Sequence, residues 1–516
     1  MYDILIKGAE IFDGTGDTPF YADVAIVGKL ISAVGHFPAE SAAQTVYADG
    51  MCLLPGFIDA HTHSDVMELL HKNREEALRQ GITTEIVGSC GIGIVPMWEG
   101  QDDYIRTVFS IIGNPGPMGS VNTVEDYFNA VGNSATNYAL QVAHSPIRIA
   151  AVGNRDVDIG EAEMTAMEKI THKAFENGAC AFSTGLSYFP ASYCRTEEVV
   201  NLCKVAKDHD APFTIHQRSV VNRYFPDGID PLGESFEIAR KSGVHLHLSH
   251  YKTRKATVGD VESVTAPIER GLEEGLKVTA DFYPYPSGCG YIAVFLPPWV
   301  MEGDFANIME RLADVTLRDR ILREMESDPF KLSDGIFTHA PRHPEYLDRS
   351  FSAVADETGE KISEMLLRFL LEEELEGGYA PSLNLPEERL ERFHADCAEL
   401  ISKPYYMLGS DTLPAQNRPH PRTFDSFPKM IRIADKYHVS TEVLANRLSA
   451  TPAKVFGLES RGMIKPGYYA DILLFRKQHG KMADRPDMVF VNGTCKLHSG
   501  ILSPVMSGQG IRHKGR

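Results

Sequence analysis

Cysteine is scarce in this chain: eight residues in 516, with no Cys-x-x-Cys pair. That density excludes a disulfide scaffold and makes a reducing cytoplasm the expected location. No apolar run of about 18 residues occurs, so neither a transmembrane helix nor a membrane partner is expected. The start, MYDILIKGAEIFDG, lacks the charged-then-apolar layout of a signal peptide and reads as a strand. Positive charge is in deficit: 51 Lys and Arg against 70 Asp and Glu give a net charge of −19. A general nucleic-acid binder needs a basic footprint to neutralise phosphates, and the short tail with Arg512, Lys514 and Arg516 does not supply one. No short period or low-complexity tract runs through the sequence, which excludes collagen-like and coiled-coil classes. What is present is ordinary for a globular protein: 43% hydrophobic and 23% charged residues, enough to bury a large core without staples.

Length alone suggests about three domain-sized units, or one large barrel with appendages. Both ends have a β texture. Residues 1–55 hold short alternating segments punctuated by glycine (DILIKGAEIFDG, ADVAIVGKLISAVG, TVYADGMCLLPG), and residues 456–516 repeat the texture in GMIKPGYYADILLFRK and DMVFVNGTCKLHSG. The two ends are expected to form one small β-sandwich domain. Residues 56–455 alternate short apolar runs with amphipathic stretches. Candidate strands include GFIDAHTH, TTEIVGSC, CAFSTGLS, FTIHQRS, VHLHLSHYK, KVTADFYPY and YYMLGSD. Stretches such as EMTAMEKITHKAFENG and EEVVNLCKVAKDHD repeat apolar residues at three- and four-residue steps and read as helices. The alternation predicts an α/β fold, a closed (β/α)8 barrel, with a less regular insertion around 286–400. Polar residues cluster just past the apolar part of these strands, at the C-terminal face where barrels carry chemistry.

The sharpest motif is Asp59-Ala-His61-Thr-His63 at the end of GFIDAHTH. Residues i and i+2 of an extended segment point the same way, so His61 and His63 can reach one metal ion; two ordinary barrel histidines are the alternative. His216 in TIHQRS and His250 in LSHYK each end a predicted strand. A lone strand-end histidine is more often structural, but two of them behind an HxH strand make a ligand pattern. Cys90 in VGSCGIG ends another strand between glycines, which permit close backbone approach. A thiolate is a good zinc ligand; Cys52, Cys180, Cys194, Cys203, Cys397 and Cys495 read instead as small buried hydrophobes. Asp411 in MLGSD can hold a metal, shuttle a proton, or simply cap the turn before TLP. Four histidines, one thiolate and one carboxylate together favour zinc over magnesium or calcium. A catalytic zinc keeps an open position and lowers the pKa of its water to about 7.

These residues sit in blocks that resemble the amidohydrolase superfamily and, more narrowly, the N-acyl-D-amino-acid deacylase (D-aminoacylase) family. Beyond GFIDAHTH the resemblance rests on VGSCGIGIVP, FSTGLSYFPASYCRTEEVV, IHQRS, LSHYK, DFYPYPSGC, GSDTLP and RPHPR, in family order, with matching ends. Many amidohydrolases bridge their metals with a carboxylated lysine; this family places a cysteine there, and Cys90 matches it. The resemblance implies a zinc held tightly by Cys90, His216 and His250, and a second, weaker site completed by His61, His63 and Asp411. It implies that Asp411 acts as general base on the attacking water and then as acid to the leaving amine, since a carboxylate that gains a proton in one step can return it in the next. It implies that Arg422, eleven residues after Asp411, binds the substrate α-carboxylate through its planar fork, with Tyr283, Lys252 and the Cys289 position as further substrate contacts. A surface arginine, and tyrosines that only pack the barrel mouth, are the plainer alternatives. The implied activity is hydrolysis of small N-acyl-D-amino acids to a carboxylate and a free D-amino acid. A homo-oligomer is expected only by analogy.

Several positions depart from the family pattern. Cys289 stands where YPYxAGS has serine, Val220 replaces the glutamate of HxRSE, Tyr251 the second histidine of HHK, and Thr412 the glycine of SDG. Members that prefer acidic side chains carry an arginine just before an LPPW-like stretch, and Tyr291–Leu296 contain no cation. An acidic D-amino acid would then lack a partner unless Arg254 or Lys255 turned inward, so a neutral or apolar side chain is expected. Two rival readings stand beside the deacylase. One is opening of a cyclic amide such as a hydantoin or dihydropyrimidine by the same metal site. The other is a non-catalytic barrel, which the intact set of six ligand candidates argues against.

Overall fold

The computed structural model describes residues 1–96, 121–218, 230–327, 332, 334–381 and 385–514. Eight short parallel strands form its centre: β1 (Phe57–Asp59), β2 (Ile82–Val87), β3 (Asn137–Ala143), β4 (Ala181–Gly185), β5 (Phe213–His216), β6 (Leu246–Leu248), β7 (Val278–Phe282) and β8 (Tyr406–Leu408). They neighbour one another in that order. The ring closes just beyond the strands proper. Ala60 N–H donates to Leu408 O (3.2 Å), Asp411 N–H to His61 O (2.8 Å) and His63 N–H to Thr412 O (3.1 Å). The seam of the barrel is therefore made by the two segments that carry the HxH motif and Asp411.

Strand alternation sorts the side chains into two environments. Phe182 pairs in register with Phe213 and packs in the main apolar core, their rings stacked at 5.6 Å. The alternate row is polar and hydrogen-bonds within the barrel: Thr214 Oγ1 donates to Gln141 Oε1 (2.6 Å), Gln141 Nε2 to Ser89 Oγ (2.9 Å), and Ser183 Oγ to Gly88 O (2.6 Å). Seven of the eight strands are among those predicted from the sequence. The exception is β3, NYALQVA, whose apolar run is broken by Gln141, a residue turned to the polar row. The connecting helices carry ordinary end signals. In Pro231–Ser242, Asp230 accepts the Leu232 N–H (3.2 Å), proline occupies the first turn, and Gly243 ends the helix in the left-handed conformation.

Between β7 and β8 the described chain builds a three-stranded antiparallel sheet, with Gly378–Pro381 between Gly290–Tyr291 and Gly335–His339, and covers it with helices that include Phe351–Thr358 and Ile362–Glu372, whose Phe351 and Phe369 pack on Phe337. Both ends of the chain meet in one ten-stranded sheet. The two ends join where Met51–Pro55 runs antiparallel to Ile472–Gln478, Leu53 opposite Leu474. Alternation again divides the work: Ile472 and Leu474 fill the core of this terminal unit, while Leu473 and Phe475 belong to the barrel core. Among the described residues no helix is long and apolar enough to cross a membrane.

Phe57 is where these parts lock together. It is fully buried on β1, 5.5 Å from the Phe427 ring in the helix after β8 and 5.9 Å from Phe475 of the terminal sheet. Phe57→Ala is expected to cost about 3–5 kcal/mol in denaturant unfolding, the range for emptying a large buried aromatic site. A loss below about 1 kcal/mol would show that the terminal sheet does not brace β1.

Candidate metal and substrate site

The C-terminal ends of β1, β2, β5, β6 and β8 bring all six ligand candidates to one place. Cys90 Sγ lies 3.3 Å from His61 Nε2, 3.7 Å from His250 Nε2 and 3.8 Å from His216 Nδ1. His216 Nδ1 and His250 Nε2 are 2.8 Å apart. On the other side, Asp411 Oδ1 is 3.3 Å from His63 Nε2 and 3.5 Å from His61 Nε2. His61 thus faces both the thiolate set and the carboxylate set. The donor atoms of His61, Cys90 and His250 all lie within 4.8 Å of one another, as do those of His61, His63 and Asp411.

The backbone is bent to allow this. Cys90, His250 and Asp411 all adopt left-handed φ angles, 55°, 40° and 53°. Such residues cost about 1–3 kcal/mol each and gather at functional sites. Two glycines make the room: a side chain on Gly185 would strike the Cys90 carbonyl, and one on Gly409 would strike His61 Cβ. Asp281, at the end of β7, braces the histidines. Its Oδ2 meets His61 Nδ1 (3.1 Å) and His247 Nε2 (2.9 Å), and its Oδ1 accepts the His250 N–H (2.8 Å). A carboxylate behind a ligating imidazole fixes ring orientation and tautomer. Asp59 holds the seam, accepting N–H bonds from His61 (3.2 Å) and Ser410 (2.8 Å), and burial pushes its carboxyl up to about 7.

Burial alone would raise the Cys90 thiol, but His61, His216 and His250 outweigh it and hold it well below the ordinary thiol range. Burial would likewise raise Asp411; Arg422 and the histidines hold it well below the usual carboxylate range. The histidines answer these anions. Burial pulls His61 down, yet Asp281 and Cys90 lift it well above its ordinary value, and His63, opposed by burial but lifted by Asp411 and Cys90, rises to about 9. A site that loads protons onto buried imidazoles is a site short of positive charge. The donor set suits zinc, and the separations around Cys90 straddle the ~3.6 Å edge of a tetrahedron with bonds of about 2.1 Å to nitrogen and 2.3 Å to sulfur. A third cluster, His144, Cys194 and Glu198, lies elsewhere; Glu198 already binds Arg148 (3.0 Å) and His144 (2.9 Å), so it offers no spare charge to a cation.

The cluster opens into a cavity of ≈ 500 Å³. Eight of the ten sequence candidates line it, with His61 and Cys90 just behind. Arg422 is almost wholly buried; its Nη1 holds Asp411 Oδ2 at 2.7 Å, and its guanidinium lies 4.8 Å from the centre of the Tyr283 ring. Lys252 Nζ sits 3.0 Å from the same ring centre, and burial, with Arg422 nearby, holds it well below the ordinary lysine range. Cys289 lines the cavity with a thiol raised by burial. Thr412 is spent on structure, its hydroxyl 2.8 Å from Thr423 Oγ1. Val220 and Arg516 lie outside the described residues. A larger groove of ≈ 720 Å³ runs along residues 157–168 and 195–201 and holds none of the candidates.

Two participants escaped the sequence reading. Asp281 stands two residues before Tyr283, and its place beneath His61 depends on a contact across 220 residues. Tyr188, inside the quoted FSTGLSYFP block, points its hydroxyl at His216 Nδ1 (3.2 Å) and lines the cavity; burial and nearby anions raise it well above its ordinary value, so it keeps its proton.

These charges have a measurable consequence. Without a cation His61 and His63 hold protons at pH 7 while Cys90 does not, so a divalent cation that takes these two rings must displace the protons, and its affinity rises with pH at least to about 9, where His63 gives up its own. Calorimetric titration with zinc to saturation of the His61 and His63 donors, in buffers of differing ionisation enthalpy, is expected to show release of about two protons at pH 7. Release of none would contradict this charge assignment.

The model for the amidohydrolase family matches residues 44–495. The D-aminoacylase of Alcaligenes xylosoxydans xylosoxydans is 26% identical over 480 residues, covering 92% of this chain and 88% of that protein. The N-acyl-D-glutamate deacylase of the same organism is 29% identical over 480 residues, covering 92% and 87%. Among solved structures, the N-acyl-D-glutamate deacylase from Bordetella bronchiseptica, complexed with zinc and a phosphonate mimic of the tetrahedral intermediate, superposes with a TM-score of 0.79 at 27% identity over 99% of both chains. The family match spans most of the sequence and agrees with the barrel and its terminal sheet: the chain belongs to the amidohydrolase family.

Proposed function

We propose that this protein is a zinc-dependent N-acyl-D-amino-acid deacylase: water cleaves the amide, releasing a carboxylate and a free D-amino acid. As an amidohydrolase it acts on a C–N bond with a bound metal. The observation that carries the narrower reading is one cavity that joins the Cys90–histidine cluster to the buried pair Asp411–Arg422. Its support is the likeness, over nearly the whole chain, to a D-aminoacylase and an N-acyl-D-glutamate deacylase. All eight cysteines are free, which suits a reducing compartment.

In this reading Cys90, His216 and His250 hold a tightly bound zinc, and His61, His63 and Asp411 a weaker second one. A bound zinc supplies Lewis acidity, polarising a carbonyl and bringing the pKa of water to about 7. The chain's own groups do the rest. Asp411 takes a proton from the attacking water as the C–O bond forms and returns it to the amide nitrogen as the C–N bond breaks. Arg422, with Lys252 and Tyr283, receives the α-carboxylate. A substrate carboxylate on Arg422 competes with Asp411 for that guanidinium, so binding raises the basicity of Asp411 at the step that needs a base. Tyr188 donates its hydroxyl to the carbonyl oxygen as negative charge develops there.

Amine release by zinc-loaded protein from matched N-acetyl-D- and N-acetyl-L-amino acids tests the reading. Turnover confined to the D series is expected, and silence across the panel would overturn it. Asp411→Asn is expected to keep its tightly bound zinc and lose at least ~100-fold in kcat. Retained turnover in that variant would remove Asp411 from the proton transfer.

A further inference from the structure

The cavity carries more positive charge than one α-carboxylate uses. Among the described residues four basic side chains line it, Lys252, Arg254, Lys255 and Arg422, and the one acid there, Asp411, is already ion-paired with Arg422. Lys252 and Arg422 are buried against Tyr283 and belong to the α-carboxylate position proposed above. Arg254 and Lys255 differ. They are exposed at the cavity rim, and among the described residues neither head group has an ion-pair partner.

Their loop is anchored so that these heads face the cavity. Tyr251 N–H donates to Asp281 O (2.8 Å), which ties the loop to the brace of the histidine cluster. The buried Thr253 hydroxyl donates to Asp396 Oδ2 (2.8 Å), and the same carboxylate oxygen accepts the Gly259 N–H (2.8 Å). Arg254 N–H donates to Thr257 Oγ1 (2.9 Å), Thr257 N–H returns to Arg254 O (2.8 Å), and Arg389 donates to Lys255 O. Backbone pinned at each of these steps presents two cations at the mouth of a cavity in a chain of net charge −19. Such a placement steers and selects anions.

We propose that Arg254 and Lys255 form a second anion subsite and that the preferred substrate carries a second carboxylate, on the D side chain or at the far end of the acyl group. The inference rests on the deacylase reading. It runs against the neutral side chain expected from the cation-free stretch Tyr291–Leu296, because the charge that stretch lacks is supplied from the loop after β6. The α-carboxylate at Arg422 and Lys252 and the second carboxylate at the rim would then fix the substrate at two points, one buried and one at the mouth.

The test compares kcat/KM of zinc-loaded protein for N-acetyl-D-glutamate, N-succinyl-D-leucine and N-acetyl-D-leucine, in the wild type and in Arg254→Gln, Lys255→Gln and the double variant. The wild type is expected to prefer one of the dicarboxylates, and which one tells the side-chain position from the acyl position. In the double variant that preference over N-acetyl-D-leucine is expected to shrink about tenfold, a few-fold for each solvent-facing pair. Both residues are exposed, so the variants are expected to fold; zinc content and circular dichroism check this. A wild-type preference for N-acetyl-D-leucine, or a dicarboxylate preference that survives the double substitution, overturns the subsite while leaving the deacylase reading in place. Silence on all three substrates overturns both.

Discussion

The site depends on anions forced together away from water. The Cys90 thiolate and Asp411 both lie within 3.5 Å of His61 Nε2, and Asp281 sits 3.1 Å from Nδ1 of the same ring. Two like charges about 4 Å apart repel by ~4 kcal/mol at an effective dielectric of about 20. The cluster is stable only with positive charge between its members, and the ligand geometry leaves two ways to supply it: protons on His61 and His63, or a divalent cation. Arg422 serves the Asp411 oxygen that faces away from the histidines. In the proposed mechanism metal affinity, the resting state of the base and substrate recognition are settings of one charge balance.

Closure of the barrel enforces that balance. The hydrogen bond from Asp411 N–H to His61 O is both a seam contact and the link that sets the carboxylate beside the imidazoles. Three left-handed residues, Cys90, His250 and Asp411, line the site, and two glycines leave the room it needs, Gly185 against the Cys90 carbonyl and Gly409 beneath His61. Strain of this kind is tolerated where the surrounding structure over-determines it. The terminal sheet contributes from a distance, since Phe475 and Phe427 pack on Phe57, four residues before His61. The braced β1, the glycine-lined turns and the Asp281 carboxylate form one continuous support.

Much of this was legible in sequence because chemistry and folding use different alphabets. Short apolar runs ending in histidine, cysteine or aspartate mark strands that finish at a site, and the seven strands read from the sequence carry that signature or a glycine stop. β3 also runs straight into a histidine, His144, but Gln141 reads as an interruption of its apolar run; that residue serves the polar row inside the barrel. The family resemblance gave Asp411 and Arg422 separate roles in one site, but not that the two would bind each other. Asp281 and Tyr188 sat in plain view inside quoted motifs; their partners lie 220 and 28 residues away, and only closure of the barrel pairs them. The cations of the β6 loop were visible as Arg254 and Lys255, and their facing depended on anchors such as Asp396, 143 residues from Thr253.

The central claim is that a buried thiolate belongs to the metal's coordination, which sets this cluster apart from a lysine-bridged one. Zinc K-edge X-ray absorption on protein loaded with one equivalent of zinc tests it directly. One sulfur at ~2.3 Å among nitrogen and oxygen neighbours, absent in Cys90→Ser, is the expected result. A shell of nitrogen and oxygen alone in the wild type would contradict it.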